Sequence, residues 1–283
     1  MATEFKMDFS QYELTEVQKF LFDLKGYIVF PNVFTGDQVS AMKEQVEQIN
    51  QEKQNRSAAE QKAGIVQGST IPGGPSEVIL SNPIVKGTLH HLIGPDIRLD
   101  QVFSVVREKG QGDTQGPHQG GPMRNPHFHY HFTQGQSYSG LTRMVVELNS
   151  VGKDDGGTVF LPGSHKANLP VPASFREHKD TYSSPFEGYE APAGSVVFFS
   201  ENTCHAGPVW NNPNHSRVAI LFAFCNIGMR WHRYSNVTPE VIEKLGPEAR
   251  WYFRDIWPWD NTGANGGRNQ LLVNEDGTYI VSP

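Results

Sequence analysis

The chain predicts a mainly β fold with flanking helices, in which short strands form a barrel or sandwich and helices pack outside it. Three observations carry this. Hydrophobic residues at 37% and aromatics at 11% of 283 residues supply a globular core, while 28 Gly and 19 Pro imply many turns. The runs Leu141 to Leu148, Gly157 to Leu161, Ser195 to Ser200 and Val218 to Phe224 are β-rich and too short for anything but sheet. Helical spacing and capping signals concentrate before Ile97. The length is read as one domain, with a helical N-terminal part over 1–96, a strand-rich core over 97–230 and a C-terminal helix and hairpin over 231–283.

In order along the chain, Thr15 and Gln18 form a capping box before Phe20, Leu21 and Leu24, and Gly26 stops that helix. Tyr27 to Phe30 is a strand. Thr35 and Gln38 repeat the capping signal, and Val39, Met42, Val46 and Ile49 lie on one face of the helix that follows. Residues 51–75 are polar, then rich in Gly and Pro, and read as a loop that moves and covers substrate. Asn82 caps and Pro83 begins a helix through Leu92, halted by Gly94 and Pro95, with His90 and His91 near its surface. Val102 to Val106 is a strand leading into a glycine-rich turn from Gly110 to Gly116. Beyond the core, Thr238 caps and Pro239 starts a short helix ended by Gly246. The aromatics Trp251, Tyr252, Phe253, Trp257 and Trp259 pack on the body, and Leu271 to Val281 is a hairpin around Asp276 and Gly277.

A net charge of −6 with no lysine or arginine cluster excludes nucleic acid and anionic membrane as principal partners, so a small-molecule substrate is expected; oligomeric state is left open. Two cysteines, Cys204 and Cys225, exclude a disulfide framework though not a single bridge. The first twenty residues lack a signal-peptide core and no stretch of about 18 apolar residues occurs, so the protein is expected to be soluble and cytoplasmic.

The chemistry centres on residues 193–226. His205 follows the strand Ser195 to Ser200, and Arg217 opens the strand Val218 to Phe224. Imidazole suits a borderline divalent metal, and a rigid strand end fixes its direction. A guanidinium at the head of an apolar strand needs a carboxylate partner. Taken alone, His205 is more often a satisfied loop histidine. Upstream, however, lie His118 with Gln119, Gly120 and Gly121, then the run Gly156 to Lys166 (GGTVFLPGSHK).

This ordered set, together with LKGYIVFPNVF near the start, resembles the phytanoyl-CoA dioxygenase family over roughly Phe20 to Asn226. The resemblance implies a double-stranded β-helix, or jelly roll, holding non-haem Fe(II) and using 2-oxoglutarate and O₂. It further implies His118 and His205 as metal ligands and catalytic residues, Arg217 as the clamp for the far carboxylate of 2-oxoglutarate, and Gln119 beside it as a co-substrate contact. The implied reaction hydroxylates or otherwise oxidises a C–H bond of a small polar metabolite.

One position departs from the pattern. The family places Asp two residues after the first histidine, where this chain has Gly120, which brings no ligand atom. Three explanations remain open: Glu147 supplies the carboxylate from another strand; one of His127, His129 and His131 completes a three-histidine centre; or water or halide takes the place. The last is the arrangement of iron halogenases, which makes a halogenase the alternative activity. A catalytically silent binding protein is the third. Glu147 is as readily explained by an ion pair with an arginine such as Arg143. The alternating histidines more often wall a pocket than bind metal, so His129 and His131 are assigned to substrate. His165 orders its own turn, and Cys204 packs.

Overall fold

The computed structural model describes residues 3–52, 57–66, 70–112, 116–119, 127–176, 185–233, 235–256, 272–273 and 279–280. The strands that build the core are, in chain order, β1 (Tyr27–Phe30), β2 (Ile65–Val66), β3 (Ile97–Arg107), β4 (Tyr130–Thr133), β5 (Gln136–Ser139), β6 (Leu141–Glu147), β7 (Val159–Phe160), β8 (Ser195–Ser200), β9 (His205–Ala206) and β10 (Arg217–Asn226). The main helices are α1 (Glu16–Lys25), α2 (Gly36–Glu52) and α3 (Pro83–Ile93).

Six strands form an antiparallel sheet in the order β1-β8-β6-β10-β3-β2. Successive strand residues point to opposite faces, so one face of this sheet is set by one parity. Met144, Val146, Val196, Phe198, Val218 and Ile220 pack with Met42 and Val46 of α2 and Leu89 and Leu92 of α3. Val105, Val145, Val197, Phe199 and Ala219 face the other way, onto Phe160, Tyr189 and Trp210. There a smaller sheet pairs β7 with β9, and the bridges His118–His205 and Phe160–Glu187 extend it at either side. Two sheets facing across an apolar core, with helices against the outer face of the larger one, form a jelly roll. Complete burial of Phe198 and Phe222 contributes about 1.5–3 kcal/mol each.

Both anticipated capping boxes form. In α1 the Thr15 hydroxyl accepts from Gln18 N, and Gly26 closes the helix with φ +80°. Ahead of α2, Gln38 N donates to Thr35 Oγ1 at 3.3 Å, while Val39, Met42, Val46 and Ile49 are the buried face. Asn82 Oδ1 accepts from Ile84 N at 2.9 Å at the start of α3, whose His90 is exposed and His91 half-buried.

Residues 51–75 differ from the loop expected of them. Ser57 and Glu60 form a third capping box that starts the helix Ala58–Ala63, and β2 then pairs with β3. A short polar helix shows little hydrophobic periodicity, which is why composition alone concealed it. A second unanticipated element is the β4–β5 hairpin. Thr133 pairs with Gln136, and Gln134 and Gly135, both at positive φ, form the two-residue turn.

Towards the C-terminus, Pro239–Ile242 and Pro247–Trp251 are short helices on either side of Gly246, and Trp251 and Tyr252 are buried. Trp257 and Trp259 lie outside the described residues. Leu272–Val273 pairs antiparallel with Tyr279–Ile280, and Thr3–Glu4 adds to their edge. Both cysteines are free and buried. No helix among the described residues is long and apolar enough to cross a membrane.

Gly26 ties α1 to the turn that leads into His205. Its carbonyl accepts from Ser200 N at 3.0 Å and Thr203 Oγ1 at 2.9 Å, and a Cβ would lie 2.3 Å from Thr203 Oγ1. Gly26→Ala should therefore lower the unfolding free energy in urea by about 1–3 kcal/mol or more. Gly36→Ala, where a Cβ meets nothing within 4 Å, should leave it unchanged or slightly raised.

Candidate active site

His118 and His205 are a direct antiparallel backbone pair. Each N–H donates to the other's carbonyl at 2.9 Å, and their rings lie 4.4 Å apart. His118 Nδ1 is 2.8 Å from Gly116 O and His205 Nδ1 is 2.7 Å from Thr203 O. A carbonyl oxygen only accepts, so both Nδ1 atoms carry the proton and both Nε2 atoms keep a lone pair for a metal. Burial, with His118 alongside, pushes the pKa of His205 down to about 4, so this imidazole is neutral at physiological pH.

The histidines open on a cavity of about 430 Å³ between the sheets. Arg217 and Leu221 of β10 line its floor. In register, Ala223 lies between Gln101 and Arg143, and Ala219 lies between Val105 and Glu147. Parity turns Arg143, Glu147 and Arg217 inward, and two ion pairs result. At the start of β10, the Arg217 guanidinium donates from Nη2 to Glu147 Oε1 at 2.6 Å and from Nε to Glu147 Oε2 at 3.2 Å. Nη2 also donates to Thr158 Oγ1 at 3.2 Å, and Tyr189 donates to Glu147 Oε1 at 2.5 Å. Burial opposes the Arg217 charge, but Glu147 and Tyr189 outweigh it and hold its pKa above the ordinary arginine value. Further along the sheet, Arg143 Nε donates to Glu201 Oε2 while its Nη1 donates to Gln101 Oε1 at 3.2 Å.

Glu201 is 3% exposed and follows β8 directly. Among the described residues, Glu201, His118 and His205 are the one group of three such side chains whose ligand atoms all lie within 4.8 Å of one another. Burial works against the Glu201 carboxylate, yet Arg143 and the two histidines keep its pKa below the usual range, so it stays ionised. Sequence reasoning missed this residue. The available signal was parity, since position 201 continues the inward series 195, 197 and 199.

The structure thus brings His118 and His205 together and places Arg217 on the same cavity. Gln119 Nε2 donates to the carbonyls of Asn202 at 2.9 Å and Ser164 at 3.3 Å, joining the His118 segment to two turns beside His205. Glu147 is held by Arg217, outside the group formed by the histidines. His129 is half-buried and His131 exposed beside Tyr138; neither lines the cavity, because Phe128 and Tyr130 occupy the inward face of that segment. His127 is exposed, and Gly120 lies outside the described residues. His165 Nε2 meets Asp23 O at 3.0 Å, so the PGSHK turn fastens α1 to the smaller sheet. The cavity also has a wall that the sequence did not announce, Trp231 and His232. Buried Asp100 accepts from both their backbone N–H groups, at 3.0 and 3.1 Å, and pairs with the His232 ring.

The family profile for phytanoyl-CoA dioxygenase (PhyH) matches residues 22–218. The chain belongs to the phytanoyl-CoA dioxygenase family. Membership makes it a non-haem iron, 2-oxoglutarate-dependent enzyme that uses O₂, which removes the silent binding protein as an alternative. No curated protein sequence matches it. Among solved structures it resembles HygX from Streptomyces hygroscopicus, crystallised with nickel and 2-oxoglutarate, at a TM-score of 0.66 and 16% identity over 81% of this chain and 94% of that one. It also resembles SnoN, described as a non-heme alpha ketoglutarate-dependent epimerase from nogalamycin biosynthesis (TM-score 0.55, 18% identity, 94% and 95% covered). A third is AviO1 from Streptomyces viridochromogenes Tue57 (TM-score 0.56, 14% identity, 74% and 94% covered). These likenesses support the jelly roll.

The donor set fits iron. Two imidazoles with their outer nitrogens tied to carbonyls and an ionised carboxylate close by form a mixed N/O set of the kind that holds Fe(II) with positions left open. Glu147, by contrast, is committed to Arg217. Glu147→Ala would leave a buried guanidinium without its counter-ion, so unfolding stability should fall by about 3–5 kcal/mol. Anaerobic titration of the folded variant with Co(II) should give the wild-type affinity.

Proposed function

We propose that this family member hydroxylates a C–H bond of a small polar molecule seated in the cavity between the sheets, with His118 and His205 holding the iron and Arg217 anchoring 2-oxoglutarate. The observation that carries the reading is the backbone-paired histidines, each presenting Nε2, on the same cavity as a buried arginine. Bound iron and 2-oxoglutarate supply the oxidising power when O₂ arrives. The chain's own residues do the rest. The carbonyls of Gly116 and Thr203 aim the imidazoles, and the paired sheets limit water.

Charge supports the placement of the co-substrate. Arg107 lies directly across from Arg217 in register, and both line the cavity. A guanidinium presents forked donors that match a carboxylate, and Arg217 stands at this end of the cavity. At the far end of the sheet, Trp231, His232 and Gln101 form a mixed aromatic and polar wall that suits a polar organic substrate. That HygX has been crystallised with hygromycin B, a small molecule, agrees with this class.

Gly120 favours a second reading, halogenation, because its position brings no ligand atom. Product mass in chloride, bromide and halide-free buffer separates the two. The expected product is oxidised and halogen-free in all three, and a chlorinated product that becomes brominated on exchange would establish the halogenase.

The primary test is anaerobic binding of Fe(II) and 2-oxoglutarate followed by succinate release in air. His118→Ala and His205→Ala should each abolish metal binding and succinate formation. Arg217→Lys should raise KM for 2-oxoglutarate on the order of tenfold, since a bidentate guanidinium contact is replaced by a point charge, and leave KM for substrate nearly unchanged. Turnover by His118→Ala protein would overturn the assignment.

A further inference from the structure

Resting on the reading of His118 and His205 as metal ligands, we infer that Glu201 supplies the carboxylate that position 120 lacks, so that the centre is a two-histidine, one-carboxylate triad assembled from a different strand. Three independent features converge. The first is proximity, since the ligand atoms of Glu201, His118 and His205 all lie within 4.8 Å of one another. The second is rigidity. Glu201 N donates to Leu141 O at 2.9 Å, fixing its backbone to the start of β6, and its position four residues before His205 places both on one tight connection. The third is orientation. Arg143 engages Oε2, and Gln101 holds Arg143 in turn from across β10, so the carboxylate is aimed by a chain of side chains that crosses the sheet. A carboxylate ligand that is itself hydrogen-bonded from behind is the usual construction of such centres.

A purely structural Arg143–Glu201 pair would explain the rigidity and the orientation. It would not require both imidazoles to bring a ring nitrogen within 4.8 Å of the same carboxylate. The substitution pattern agrees as well, because a Gly120 that brings no donor and a glutamate that enters from the neighbouring turn leave the number of donors unchanged. With the carboxylate provided by Glu201, a halide has no vacated position to occupy.

The test uses the full-length protein with Co(II) as an oxygen-stable probe, read by calorimetry and by the visible ligand-field spectrum. Glu201→Gln keeps the shape and a hydrogen-bond acceptor for Arg143 but loses the anionic donor. We expect its Co(II) affinity to fall by roughly 100-fold, at or beyond the upper end of what loss of a merely supporting group causes, and its spectrum to change. Glu201→Ala should respond to added formate or chloride with a further spectral shift, whereas the wild-type spectrum should be indifferent to chloride. Arg143→Ala removes the ion pair but keeps the carboxylate, and should cost clearly less affinity than Glu201→Gln, on the order of tenfold. Circular dichroism and urea unfolding establish that each variant is folded. Wild-type affinity and spectrum in Glu201→Gln, or equal losses in Glu201→Gln and Arg143→Ala with no response to formate or chloride in Glu201→Ala, would overturn the inference and leave the ligand assignment intact. Undiminished Co(II) binding by His118→Ala would instead remove the reading on which it rests.

Discussion

The backbone pairing of His118 with His205 is the contact on which the site depends. It is one rung of the smaller sheet, yet it brings two segments separated by more than eighty residues to a ring separation of 4.4 Å. Because each residue gives and takes a backbone hydrogen bond, neither imidazole can shift along the strand without breaking both. The neighbouring carbonyls then fix each tautomer. The placement of the two imidazoles is therefore a property of the sheet rather than of loop conformations, and side chains carried on a sheet are positioned more precisely than those on loops.

The second constraint is parity. On the large sheet, alternation sends one set of side chains into the helices and the other towards the histidines, and the inward set carries the charged residues. Charges at such positions are costly unless paired, and the structure pairs them across strands: Arg217 with Glu147, Arg143 with Glu201. A register slip of one residue in β6 would turn Arg143 and Glu147 towards α2 and α3 and Val146 towards the cavity, and one in β10 would do the same to Arg217 and to Val218 and Ile220. The ion pairs thus specify the register that the site needs.

Most of the fold was legible in the sequence because its signals are local. Capping boxes at Thr15 and Thr35, the Asn82-Pro83 start, and short β-rich runs between glycines each depend on neighbours a few residues away, and each recurs in the structure. The helix Ala58–Ala63 escaped because its polar sequence lacks periodicity, and the β4–β5 hairpin because its turn is Gln134-Gly135 in place of the more telling Asn-Gly. The site was legible as far as the motif order reached, which is to His118, His205 and Arg217. Pairings between distant strands were not. The choice between Arg143 and Arg217 as partner of Glu147 depends on register, and so does the approach of Glu201 to the histidines. The Trp231–His232 wall depends on Asp100, more than a hundred residues earlier.

The two buried pairs also divide the cavity electrostatically. Arg143 and Glu201 cancel next to the histidines, and the lowered pKa of His205 leaves that imidazole neutral, so a metal bound there would displace no proton from it. Around Arg217 a second guanidinium, that of Arg107, stands across the strand pair and also lines the cavity. Thr158 adds a hydroxyl to the surroundings of the Arg217 guanidinium. Replacing either pair with apolar residues of similar volume would stabilise the fold or leave it unchanged by the usual balance of desolvation against Coulomb attraction. Stability alone therefore does not account for charges at these positions, and the proposed roles of the two ends of the cavity, metal beside Glu201 and dicarboxylate beside Arg217, would account for both.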